Sequence, residues 1–237
     1  MSSNAELLGI QEQLRAEVNE YENIDGEIER LTRQVSKAEG QLREQAAVIS
    51  RFRQEVAPGF AEQVAHTLAD LAMPAAVLKV DFKPLAELSN TGLDEVQFLF
   101  SANRGSEPKP IKNVASGGEL SRLTLVTKSL VASAMALPTL IFDEIDSGVS
   151  GDVALKMGHI LHDLSSHHQV VVITHSPQVA ARADEHFFVY KKEEEQRTST
   201  KVRQLQTEER IRAIATMLSQ NPPSDSALEN ARELIGA

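Results

Sequence analysis

Three short segments hold the residues whose types and spacing could do chemistry. In Phe142-Asp143-Glu144-Ile145-Asp146-Ser147-Gly148, two adjacent carboxylates follow the apolar run Thr139-Leu140-Ile141-Phe142. Asp143 could hold Mg²⁺ through oxygen ligation, and Glu144 could polarise an attacking water. Equally, Asp146 or Ser147 could cap the next helix and leave the acids solvated. In Ala115-Ser116-Gly117-Gly118-Glu119-Leu120-Ser121-Arg122, two glycines stand where a loop enters a helix. Backbone N–H groups and the positive helix end can approach an anion closely there. Ser116 to Glu119 is also a Ser-x-x-Glu capping box. His175 ends the run Val170-Val171-Val172-Ile173-Thr174 and precedes Ser176-Pro177, an N-cap and first-turn pair. It can donate to a phosphate oxygen or serve a structural role. His159 and His162 stand three apart, with His167 and His168 just after, but no cysteine or fixed further ligand accompanies them. Zinc wants three or four such ligands, which favours solvated histidines.

These residues need a scaffold, and the surrounding pattern supplies one. A helix from about 119 to 135, a buried strand Thr139 to Phe142, a helix from about 151 to 164 and a strand from 169 to 174 follow one another. Strand–helix–strand order implies parallel pairing with a right-handed crossover. Asp143, Glu144 and His175 then meet at the carboxyl edge of one sheet, where α/β proteins bind ligands. Ahead of this unit, Ala76, Leu78, Val80 and Phe82 alternate with other side chains, as do Val96, Phe98 and Phe100. They read as two strands joined at the turn-rich Ser89-Asn90-Thr91-Gly92. Behind it, 186–191 and 201–206 read as strands around the acidic loop Glu193-Glu194-Glu195, and two short helices finish the chain.

The N-terminal quarter is different. Alternating steps of four and three from Ile10 to Val56 pass through fourteen positions, of which only Glu17 and Gln45 are polar. This is a heptad seam with a polar surround, a coiled-coil strand whose stripe no lone helix can bury. Pro58-Gly59 is expected to punctuate it, with a shorter amphipathic helix carrying Phe60, Val64, Leu68 and Leu71 up to Met73-Pro74. The expected division is a coiled-coil arm over 1–57 and a globular lobe over 58–237.

The chain has 237 residues with 24 Lys+Arg against 34 Asp+Glu, a formal net charge of −10. Non-specific nucleic-acid binding through bulk charge is therefore not expected, and any DNA contact must be local or supplied by a partner. The absence of cysteine removes disulfides, thiolate metal sites and a cysteine nucleophile, and fits a reducing compartment. No membrane span or secretory signal is visible, so a soluble protein is expected.

Taken together, the motifs resemble the C-terminal half of an ABC-type ATPase head. The match is Ser116-Gly117-Gly118-Glu119 to the signature, Asp143 and Glu144 to Walker B with its catalytic glutamate, Asp146 to Gly148 to the D-loop, and His175 to the switch histidine. A coiled-coil arm entering the head narrows the resemblance to the structural-maintenance-of-chromosomes class, and the wording of the motifs to its DNA-repair branch. The resemblance implies an α/β fold: the C-terminal lobe of the head, a mainly parallel sheet with flanking helices. It implies ATP and Mg²⁺ as ligands, with Asp143 on the metal, Glu144 and His175 catalytic, and Ser116, Gly117, Gly118, Glu119, Asp146 and Ser147 at the nucleotide. It further implies ATP-bridged homodimers, DNA as partner, no membrane, and a cytoplasmic, nucleoid-associated role in bacterial recombinational repair of double-strand breaks.

One departure matters. No glycine of the twelve is followed by lysine, so the phosphate loop G-x-x-x-x-G-K-S/T is absent from this sequence. In the family that loop lies in the N-terminal half, beyond the far end of a hairpin whose returning strand corresponds to residues 10–56. The chain thus looks like one half of a split head, completed by an N-terminal half that brings the phosphate loop and an antiparallel coiled-coil strand, and inactive alone. A competing reading is a non-enzymatic coiled-coil assembly module, favoured by the missing loop and opposed by Glu144 beside Asp143 and His175. A transporter subunit is disfavoured by the arm and by Ile145-Asp146-Ser147, where Pro-Thr would be usual.

Overall fold

Ala, Leu, Glu, Gln and Arg dominate the first seventy residues, and these are strong helix formers. In the computed structural model, which describes residues 4–114, 116–135, 137–149, 151–194 and 197–236, they form one helix, α1, Asn4–Asp70. Ala115, Ser150 and Glu195 lie outside the described residues. Ion pairs three or four residues apart, such as Arg33–Glu29 at 2.9 Å and Arg43–Glu39 at 2.8 Å, lace its surface.

The expected break at Pro58 does not occur: Pro58 lies inside α1. Proline removes one backbone donor and crowds the preceding turn, a cost of roughly 3 kcal/mol. The residues after it offset that cost, because Val64, Leu68 and Leu71 are fully buried with Phe60 and Ala61 packed beside them.

Two compact units result, Met1–Val56 with Phe82–Val96, and Ala57–Asp81 with Gln97–Ala237. In the first, the tip of a hairpin formed by β1 (Val77–Ser89) and β2 (Gly92–Ser101) packs on the helix. Ala46 is buried, the Ser50 hydroxyl donates to the Asp94 carboxylate, and Arg53 Nη2 donates to the Thr91 carbonyl at 2.9 Å. Ala46, Ser50 and Arg53 each follow a seam position by one residue, so the seam stays open. Ile24, Ile28, Leu31, Val35 and Phe52 are all exposed.

The second unit holds the rest. A short β3 (Lys109–Pro110) pairs antiparallel with β2, and α2 (Gly117–Ala134) follows. Next come β4 (Thr139–Asp143), α3 (Gly151–Ser165) and β5 (Gln169–Ile173). As the strand–helix–strand order requires, β4 and β5 are parallel, with Thr139 opposite Gln169 and Asp143 opposite Ile173. The short α4 (Pro177–Ala180), the antiparallel pair β6 (Phe187–Glu194) and β7 (Arg197–Gln204), then α5 (Thr207–Leu218) and α6 (Asp225–Ile235) complete it.

Phe142, Leu123, Leu125, Val126 and Met157 centre the core, and Ile214, Ala215 and Ala231 centre a satellite under α5 and α6. The strand expected to be buried on both faces is buried on one. Leu140 and Phe142 face the core, whereas Ile141, Val171 and Ile173 on the other side are exposed, so among the described residues one face of the parallel pair is left uncovered. Among the described residues, no helix is long and apolar enough to cross a membrane.

Candidate functional site

The end of β4 and the end of β5 lie side by side because the strands are parallel and in register. Glu144 continues from β4 by donating its N–H to the Ile173 carbonyl at 3.0 Å, but its backbone turns sharply, with φ at +47°. A non-glycine residue in this left-handed region carries a cost of roughly 1–2 kcal/mol. The kink separates two pairs of side chains. Asp143 and Glu144 stay exposed at the strand edge, while Ile145 and Asp146 turn into the protein, Asp146 completely. The turn closes with Ser147 N–H to the Glu144 carbonyl at 3.2 Å and Val149 N–H to that of Asp146 at 3.1 Å.

Across the edge, His175 follows β5 with its imidazole largely in solvent. Its neighbours on both sides are fastened to Asp146. The Thr174 hydroxyl and the Ser176 N–H both donate to Asp146 Oδ2, the latter at 3.1 Å. So the carboxylate that the sequence offers as a nucleotide contact, or as a helix cap, points inward and pins the segment bearing His175. α3 begins only at Gly151.

The glycine pair sits where expected, at the start of α2, with Gly117 as its first residue. Ser116 Oγ accepts the Glu119 N–H at 3.4 Å, the capping bond foreseen as the plain alternative to phosphate binding. Ser116 and Gly117 are nevertheless exposed, while Gly118 lies against the Ser147 and Gly148 carbonyls. The glycine pair at the start of α2 and the turn after β4 thus pack together. His159, His162 and His167 are exposed, and His168 meets the Leu137 carbonyl through Nδ1 at 2.7 Å.

No family model matches the chain. Individual relatives do. It is 36% identical over 223 residues to the DNA repair protein RecN of Haemophilus influenzae, covering 94% of this chain and 40% of that protein. It is 33% identical to RecN of Bacillus subtilis, covering 97% of this chain and 42% of that one. The chain is a relative of RecN. It spans about two fifths of the length of these curated relatives. Among solved structures, the Smc head domain with a coiled coil and joint from Pyrococcus yayanosii matches with a TM-score of 0.54 at 20% identity, over 91% of this chain and 36% of that one. That likeness establishes the fold class: a head lobe with a coiled-coil helix.

Sequence reasoning read Ser176 only as a helix cap, gave the Thr174 hydroxyl no part, and missed the left-handed backbone at Glu144. Ser176 sits at the N-cap position of α4 without a side-chain cap bond, and its N–H goes to Asp146 instead. The same reasoning read Asp146 as a nucleotide contact or a helix cap, whereas the residue is completely buried. Of the expected site residues, Asp143, Glu144, Asp146, Ser147 and His175 share one strand edge, and Gly118 abuts it. Among the described residues no group of three metal-ligating side chains converges. An exposed Asp143 beside Glu144 suits Mg²⁺, which keeps several waters and needs only one or two carboxylates together with substrate phosphates.

Proposed function

We propose that the chain is the catalytic-glutamate half of a split, SMC-like ATPase head that acts in DNA repair. The observation that carries this reading is the strand edge. Exposed Asp143 at the end of β4 and exposed Glu144 just after it lie at the same edge of the parallel pair as exposed His175, two residues past the end of β5, with Glu144 held in a backbone conformation that costs energy. Strain of this kind persists where the surroundings over-determine it and clusters at functional sites. The names of the RecN relatives support the repair context.

In this reading Asp143 would hold Mg²⁺, which when bound would supply charge neutralisation for the phosphates. Glu144 takes the proton of, or orients, the water that attacks the γ-phosphoryl group in line, and His175 donates to the γ-phosphate. Ser116, Gly117 and Gly118 address the nucleotide of a second head from the start of α2, with Glu119 behind them and Ser147 in the adjoining turn. ATP thereby bridges two heads, and the arms pass that change of state outward to DNA. The phosphate loop comes from an N-terminal half of the same protein, which also supplies an antiparallel partner for the seam. The uncovered face at Ile141, Val171 and Ile173 supports such a completion, since parallel sheets are normally covered on both faces.

Calorimetric titration with Mg–ATP tests this. The chain alone should bind weakly and hydrolyse nothing, and turnover should appear when the half bearing the phosphate loop is supplied. Micromolar binding by the chain alone would overturn the split-head reading.

A further inference from the structure

We infer that Asp146 is a positioning residue for His175, fixing its Nδ1–H inward so that Nε2 is the nitrogen presented at the strand edge. Asp146 is completely buried, and its two oxygens are used unequally. Oδ2 receives the Thr174 hydroxyl and the Ser176 N–H, and the Thr174 oxygen itself accepts that same N–H at 2.9 Å. Oδ1 is buried with no hydrogen-bond partner. A buried carboxylate oxygen left unpaired is costly, which asks for a donor in reach. His175 Nδ1 stands 4.0 Å from Oδ1, while the ring itself is 69% exposed. A small rotation of the imidazole closes that gap to a hydrogen bond without moving the backbone, because residues 174 and 176 are already tied to the same carboxylate.

The consequence is chemical. A neutral imidazole that donates Nδ1–H inward offers Nε2 outward as an acceptor, and a protonated one offers Nε2–H to an anion. Either way a single nitrogen faces the ligand, in one orientation. The importance of this for turnover rests on the ATPase reading above, whereas the tautomer does not.

The test is ¹⁵N spectroscopy of the histidine-labelled 237-residue chain at about pH 8.5, where an ordinary imidazole is neutral. His175, assigned with His175→Gln, should be protonated at Nδ1, against the Nε2–H preference of a free imidazole. Asp146→Asn can still accept from Thr174 and Ser176 but turns an amide donor toward the ring, so His175 should switch to the Nε2–H form. A wild-type His175 protonated mainly at Nε2, or an unchanged tautomer in Asp146→Asn, would overturn the proposal. Should that variant not fold, the wild-type spectrum decides, together with Thr174→Val, which removes one bond to Oδ2 and should keep Nδ1–H. A completed head that never turns over ATP while His175 carries Nδ1–H would remove the ATPase reading and leave this one standing.

Discussion

Gly118 lies directly against the turn that carries Ser147: a Cβ placed on it would come to 3.4 Å of the Ser147 carbonyl oxygen and 3.5 Å of that of Gly148. The first turn of α2 and the turn after β4 are therefore in van der Waals register, with room for one methyl group and no more. Gly118→Ala should be tolerated or gain roughly 0.5–1 kcal/mol from helix propensity. Gly118→Val should lose about 1–3 kcal/mol, because its γ-carbons push on two carbonyls. Thermal melts of the two variants check this, and an equal response would show that the seat is loose.

Glu144 carries its strain in the backbone, whereas the role proposed for it lies in the side chain, so the two can be separated by mutation. Glu144→Gln keeps shape and conformation, and should leave the melting temperature unchanged. In a head completed with the phosphate loop it should lower turnover by roughly 10² or more, with ATP-bound dimers accumulating. Glu144→Gly relaxes the left-handed residue and should raise stability by up to ~1 kcal/mol while abolishing turnover. Phosphate release and light scattering decide the first variant, and denaturant titration the second. Normal phosphate release from Glu144→Gln would remove it from the catalytic role.

Much of this arrangement could be read from residue order. The parallel pairing of β4 with β5 followed from an apolar strand, a helix and a second apolar strand, since a connection of that length permits little else. The hairpin at Ser89 to Gly92 and the open seam of α1 followed from periods of two and three and a half residues. Two things did not. Pro58 is a reliable breaker only where packing does not compensate, and the burial of Val64, Leu68 and Leu71 after it is a tertiary fact. Asp146 looked like its acidic neighbours. Its inward turn depends on the φ of Glu144 and on the Thr174 and Ser176 donors from the segment after β5, which no local pattern encodes.

His186 gives the second unit a pH dependence of known sign. Its imidazole is held below its ordinary value of 6.5, first by burial and then by the nearby Arg210 guanidinium. Its Nδ1 is buried without a hydrogen-bond partner, and Arg210 is itself fixed by donating to the Ala181 carbonyl at 2.9 Å. The unfolded chain therefore takes up this proton first as pH falls. The stability His186 contributes is whole above about pH 6.5 and is lost as pH drops through the folded value. Denaturant titrations at about pH 7.5 and about pH 5.5 should show the wild type weaker at the lower pH, and His186→Gln should shrink that difference. An undiminished difference in His186→Gln would place the pH dependence elsewhere.

The seam of α1 makes a prediction that depends on no chemistry at the strand edge. Ile28 and Leu31 are 55% and 46% exposed, and the hairpin tip that binds the helix does so through Ala46, Ser50 and Arg53 on a neighbouring stripe. A stripe of that length in water favours a partner helix, and in the isolated chain the nearest supply is a second copy. The chain should therefore self-associate with a concentration dependence visible in sedimentation. Replacing both Ile28 and Leu31 with Asp puts charge at the centre of any such contact and should leave a monomer. The Ser50–Asp94 and Arg53–Thr91 bonds lie some five turns further along the helix, so the melt of the packed residues should be unchanged. Restoring association by supplying a separate helix with Lys at the facing positions would show that the seam itself is the contact, whereas self-association that survives both substitutions would move the contact to another surface.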